Sequence, residues 1–218
     1  GDREIYALDE IIKEFDYKRI GVSGAIFDVQ KLEWINQQYL IKNIPVEKLW
    51  DRLRQWNFSD EYMQKLMPLC HSRIKTFGDF MELCDFFFIN NLKYTAELFS
   101  VKGLTSDQSA MILQSLIWHM DENENWGSSG INQASRDVAE MFGVNHKKSM
   151  MPLLFATLMG KLQGPPLFDS VGILGKDRTR ARLLKSIEFL GGVSNKKMDA
   201  LKKAWDRKEA KHLIETVA

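Results

Sequence analysis

The 218-residue chain reads as an all-α protein built from about ten helices joined by short polar turns. Three observations predict this. Apolar residues recur at helical spacing along nearly the whole length, period-two alternation is absent, and no repeat or low-complexity segment interrupts the pattern. With 44% hydrophobic residues, 13 Phe and 6 Trp among them, the chain can fill one large or two small cores.

Taken in order, "IYALDEIIKEF" sets Ile5, Leu8, Ile11, Ile12 and Phe15 on one stripe. After the tight loop "GVSG", Asp28 is a good N-cap for "VQKLEWINQQYLI", which offers Leu32, Ile35, Tyr39 and Leu40 to a core. Pro45 suits the start of "VEKLWDRLRQW", and Ser59 caps "DEYMQKLMPLCHSRI". "FGDFMELCDFFF", "SDQSAMILQSLIWHM" and "INQASRDVAEMFGV" follow, then "KSMMPLLFATLMG", "RTRARLLKSIEFL" and "KKMDALKKAWDRKEAKHLIETV". The polar stretch "DENENWGSSG" at 121–130 is the clearest joint, and a second boundary falls near residue 42.

Charge divides the chain. Residues 1–143 hold 15 Lys/Arg against 22 Asp/Glu, whereas residues 144–218 hold 15 against 7. An acidic body with a basic C-terminal part favours an anionic partner, foremost a polynucleotide; the plain alternative is a solvated basic face. Cys70 and Cys84 cannot build a disulfide framework or a thiolate metal site, and their apolar surroundings predict buried free thiols in a reducing cytosol. No apolar run approaches the length of a membrane span and no leader pattern is visible, so a cytoplasmic protein is expected. The first residue is not Met, which reads as a processed chain or a fragment.

No catalytic or metal-binding residues emerge. His71, His119, His146 and His212 have no Asp, Glu or Cys at ligand spacing, and "GVSGAIF" and "GILGK" lack the context of a phosphate loop. Two features fit RNA better. Arg73 follows the Pro68-interrupted stretch "LMPLCHSRIKTF", so its guanidinium is expected free at a helix end, able to bind a base edge or phosphate through two bonds. A lone arginine's default is a surface salt bridge. The loop "GKLQGPPLFD" is stiffened by Pro165 and Pro166, and a rigid apolar loop can support splayed bases. Its default is a helix–helix turn with Leu167 and Phe168 in the core.

At "SGAIFDVQKLEWINQQYL" the chain resembles the pattern SxSGAxFDxxKLxWxNxxY of bacterial glutamyl-tRNA synthetases, which are class I aminoacyl-tRNA synthetases. "RIKTFGDFMELCDFFF" is similar to that family's next helical block, and "LLFATLMGKLQGPPLFDSVGILGKDRTRARL" to its closing LRxALTGxxxxPxLFExxxxLGKERxxxRL. The resemblance spans about residues 8–184 and implies a C-terminal part without the catalytic domain: the HIGH-type and KMSKS-type ATP motifs are missing. It implies the end of a stem-contact region at 1–42 and anticodon-binding helical subdomains at 43–125 and 126–218, the second with a helical extension. No cofactor is implied for this part, while the parent enzyme, a monomeric glutamate–tRNA ligase, would use ATP and Mg2+. The implied partner is the anticodon arm of tRNA(Glu), with no membrane partner.

Position by position, the resemblance gives Arg73 the reading of the third anticodon base, and Gly164, Pro165, Leu167 and Phe168 the holding of the first two. Ser23, Lys31, Trp34 and Asn36 match the stem-contact block, with Trp34 expected in the core. Lys31, Asn36, Lys161, Lys176, Arg178 and Arg182 are candidate RNA-backbone contacts. Phe155 stands where the family has an Arg, and Met159 where it has a Thr. Beyond about residue 187, Met198, Leu201 and Trp205 make an apolar stripe fit to pack on the bundle, and the flanking Lys residues would otherwise extend the RNA footprint. Two alternatives stand beside this reading: a helical protein-interaction scaffold with a basic face, and a parent enzyme that charges both tRNA(Glu) and tRNA(Gln).

Overall fold

The computed structural model describes residues 4–21, 24 and 27–214, which contain ten α-helices and no strand. The chain divides into two compact units, Gly1–Ser59 and Asp60–Ala218. This division falls between the two boundaries read from the sequence. The 121–130 joint lies inside the second unit.

The first unit carries α1 (Leu8–Glu14), α2 (Val29–Asn43) and α3 (Val46–Asn57). Asp28 caps α2 by accepting from the Lys31 amide at 3.0 Å, and Pro45 precedes α3. Tyr39 donates its hydroxyl to the Tyr6 carbonyl. The expected core is thin: Ile35 and Tyr39 are half-buried, but Leu8, Leu32, Leu40 and Trp34 are exposed. Trp34 is therefore not the core residue that the sequence suggests. Three helices of 7, 15 and 12 residues enclose too little volume to cover both faces of any one of them.

The second unit contains α4 (Asp60–Cys70), α5 (Asp79–Cys84), α6 (Ser106–Asn123), α7 (Ser128–Phe142), α8 (Met151–Met159), α9 (Leu167–Phe189) and α10 (Asn195–Asp206). α6 is its centre, packed against α7, α9 and α10. Its start is fixed by a reciprocal cap in which Thr105 and Gln108 satisfy each other's backbone amides. Its apolar residues wrap around the cylinder, and Met111, Ile112, Leu113, Leu116, Ile117 and Met120 are all buried.

Two glycines redirect the chain near the C-terminal part. Gly160 closes α8 at φ +65°, and Gly175, at φ +78° and ψ 172°, kinks α9 between two helical segments. The segment beyond residue 187 packs as its apolar stripe predicts. Leu201 and Ala204 are buried, the Trp205 indole donates to Glu122 at 2.7 Å, and the Ala210 amide donates to the Met141 carbonyl at 2.9 Å. Cys70 and Cys84, at the C-terminal ends of α4 and α5, are buried free thiols with their sulfurs 2.7 Å apart. Burial pushes the Cys84 thiol far above its usual range.

The unequal cores predict unequal mutational costs. Leu116→Ala should destabilise the second unit by about 2–5 kcal/mol, whereas Leu32→Ala should change stability by less than about 1 kcal/mol. Urea denaturation of both variants, followed by circular dichroism, measures the difference.

Candidate nucleic-acid interface

α4 runs through Pro68 to Cys70, so the proline does not end the helix as the sequence suggests; buried Leu66 and Cys70 hold that last turn. The chain then turns: the Arg73 and Ile74 amides both donate to the Cys70 carbonyl, at 2.8 and 3.2 Å. The Arg73 side chain is exposed, and its Nη1 donates to the Leu69 carbonyl at 3.2 Å and to Ser72 Oγ at 3.4 Å. Among the described residues no carboxylate pairs with it. The two recorded bonds both use Nη1, and the guanidinium's further donors make it able to bind more acceptors.

The loop that carries Arg73 is shaped by Asp79. One carboxylate oxygen accepts from the Lys75 amide at 2.7 Å and the Thr76 amide at 2.8 Å, while the other accepts from Thr76 Oγ1 at 2.9 Å. These bonds, led by the Thr76 amide, hold the Asp79 carboxyl below its ordinary value. The Asp79 carboxylate is thereby bound to the loop's own amides and to the Thr76 hydroxyl.

The Pro loop connects α8 to α9. Pro165 and Leu167 are buried, and Phe168 is half-buried against the core. Leu167 is thus packed in the core, as in an ordinary helix–helix turn, while Gly164 and Pro166 are half-buried. Gly164 is constrained by Met159: a Cβ there would meet the Met159 sulfur at 2.7 Å. Phe155 lies beneath the same glycine, so both departures from the resembled pattern form its apolar underlay.

Three of the expected RNA-backbone cations do something else. Arg182 is 2% exposed and donates to the carbonyls of Leu158 at 2.6 Å, Phe86 at 2.5 Å and Ile89 at 2.9 Å. It is a structural clamp, not an RNA contact, because its side chain points inward from α9. Burial pushes its pKa down to about 10, which still leaves it charged at neutral pH. Arg178 donates to the Phe87 carbonyl at 2.8 Å. Lys161 donates to the Glu82 carbonyl and pairs with Asp85 at 2.6 Å. All three grip residues 82–89, the end of α5 and the 3-10 turn after it, and so tie that stretch to the frame that carries the Pro loop.

The other candidates vary. Lys176 is exposed, with its ammonium 5.7 Å from the centre of the Trp126 ring. Arg180, not among the candidates, pairs with Asp121 at 3.2 Å. In the first unit Lys31 pairs with Glu4 at 2.7 Å and Asn36 is exposed, while Ser23 lies outside the described residues. Tertiary packing also makes pairs that the spacing hides: His119 meets Asp137 at 2.9 Å, and His146 meets Ser135 at 2.9 Å. Among the described residues no three His, Cys, Asp or Glu gather as a metal site, and no helix is long and apolar enough to cross a membrane.

The clamp makes a sharp expectation. Arg182→Met leaves three carbonyls without their donor and should cost at least about 3 kcal/mol, whereas Lys176→Ala should stay within about 0.5 kcal/mol. Thermal and urea melts of the two variants check it.

Comparison with known proteins places these features. The family model described as "Anticodon binding domain" matches residues 47–187. A protein named glutamate–tRNA ligase from Protochlamydia amoebophila (strain UWE25) is 70% identical over 214 residues, covering 98% of this chain and 43% of the relative. One of the same name from Chlamydia muridarum is 43% identical over 204 residues, covering 94% of this chain and 40% of the relative. The chain therefore spans about two fifths of the length of these curated relatives. It is also similar to the crystal structure of a glutamate tRNA ligase from Elizabethkingia meningosepticum in complex with its amino acid. The TM-score is 0.54 at 29% identity, over 86% of this chain and 38% of that one. With the model matching well over half of its residues, and both candidate RNA-reading loops inside the match, the chain belongs to the anticodon-binding domain family.

Proposed function

We propose that the chain is the anticodon-recognising part of a glutamate–tRNA ligase, and that it binds the anticodon arm of tRNA(Glu) for glutamylation elsewhere in the parent enzyme. The observation that carries this reading is Arg73, exposed and without a carboxylate partner among the described residues, on a loop that Asp79 fixes. A planar guanidinium held in this way can read the edge of an unstacked base through two parallel bonds. The backbone around Gly164 and Pro166 would hold the neighbouring bases, with Pro165 and Leu167 anchoring the loop from beneath. Lys176 and, in the first unit, Lys31 and Asn36 are the remaining candidates for phosphate and sugar contacts, which position RNA without reading it.

In this proposal ATP and Mg2+ serve the parent enzyme's catalytic part, a cytoplasmic monomer, and the chain itself carries no catalytic group. Residues 1–42 would end the stem-contact region, and 43–125 and 126–218 would form the two anticodon-binding subdomains. Whether the parent separates tRNA(Glu) from tRNA(Gln) rests on the surroundings of Arg73 and of the Phe155–Met159 underlay.

Arg73→Ala should weaken binding of a glutamate anticodon stem–loop by about 1–3 kcal/mol and bring its affinity close to that for a glutamine stem–loop. Fluorescence anisotropy with both RNAs measures this. Equal affinity of wild type and variant for the two RNAs would defeat the reading. An RNA affinity that does not fall with added salt would favour the protein-scaffold alternative.

A further inference from the structure

The Arg73 loop holds a second feature that the reading above does not use. Phe77 is 95% exposed, more than any other large apolar side chain among the described residues. A phenyl ring in water forgoes roughly 1.5–3 kcal/mol of burial free energy, so a free loop would fold it onto its apolar neighbours. Half-buried Ile74 and Phe80, and exposed Met81, flank it in sequence. The backbone prevents this collapse. Asp79 holds Lys75 and Thr76 on one side of Phe77, and the Phe77 carbonyl accepts from the Phe80 amide at 3.3 Å on the other. The loop keeps the ring turned out to solvent.

We infer that Phe77 is a base-stacking residue, which takes the face of an unpaired nucleotide next to the base read by Arg73. This inference rests on the anticodon reading of Arg73. The chemistry around the ring favours RNA over a protein or membrane partner. Arg73 and Lys75 are exposed cations four and two residues away, and residues 71–78 contain no acid. The nearest carboxylate, that of Asp79, is engaged by three donors of the loop itself. An exposed aromatic face that follows two exposed cations in one loop, with the local acid bound to that loop, matches a base and its neighbouring phosphates: the π-face stacks on any base and the cations meet the backbone. Four residues of extended chain span at most about 14 Å, so Phe77 and Arg73 can touch the same RNA loop.

The test uses the 218-residue chain and a glutamate anticodon stem–loop, titrated by anisotropy at several salt concentrations. Phe77→Ala should bind roughly ten-fold more weakly, and Phe77→Leu should be equally impaired, because hydrophobicity without a π-face does not stack. Phe77→Trp should match or exceed wild type. The salt slope should stay unchanged in all three, whereas Lys75→Ala should lower it by about one. Replacing loop nucleotides one at a time with abasic sites should reveal one position at which wild type and Phe77→Ala bind alike. An unchanged thermal melt shows that the exposed substitution leaves the fold intact. If wild type binds with its expected preference and Phe77→Ala or Phe77→Leu binds equally well, the stacking role is wrong and the anticodon reading survives. If wild type does not bind the stem–loop, both fail together. Loss of self-association with RNA affinity unchanged would assign the ring to a protein contact and overturn the proposal.

Discussion

The Arg182 guanidinium, buried and bonded to three backbone carbonyls, is the constraint on which the candidate interface depends. It ties the end of α8 to the stretch after α5. Leu158 stands in the last turn of α8, where unpaired carbonyls give a helix its negative end, and a cation placed there is favoured. Phe86 and Ile89 belong to a tight 3-10 turn and its exit, and the buried Phe86 takes the Arg182 guanidinium as donor to its carbonyl. One planar group with five donors satisfies all three where a lysine's single nitrogen could not span them. Tyr94 adds to the same joint by donating to the Thr157 carbonyl at 2.8 Å, so the end of α8 is fixed from two sides.

Around this clamp four cations of the C-terminal part take two roles. Arg182, Arg178 and Lys161 face inward or along the surface and bind residues 82–89. Lys176 remains at the surface with its charge available. The first group sets the loops in place and the second is what an RNA backbone can meet. Long-range attraction of an anion still draws on every charge, paired or not. In the proposed reading, short-range recognition draws on Arg73 and on a Pro loop in which Pro165 and Leu167 are buried.

Much of this was legible along the chain. Capping residues and helical stripes placed the helices well, because each depends on neighbours within a turn: Asp28 and Pro45 stand where helices begin. Arg73 was visible as an arginine beyond a Pro-interrupted helix, with a surface salt bridge as its plain alternative. Phe77 and Asp79 were not singled out, although "RIKTFGD" interleaves cations and an aromatic ahead of one acid; its meaning appears only when the acid folds back onto the loop. Trp34 and Leu32 were misjudged for a different reason. A stripe marks which face of a helix is apolar, but burial also needs a partner surface, and the first unit is too small to provide one.

The sequence by itself determined the all-α class, the position of most helices, the charge division and the family resemblance, since each is written in local spacing or in ordered motifs. Only the tertiary structure decided which cations are clamps and which are free. Arg178, Arg180 and Arg182 alternate along one short segment, yet one binds the 3-10 turn, one pairs with Asp121 and one is buried. The physical reason is that an arginine's role depends on which carbonyls and carboxylates lie within about 3 Å of its guanidinium. For Arg182 these come from residues 24 to 96 positions away along the chain. No spacing rule reaches that far; the packing of α4, α5, α8 and α9 does.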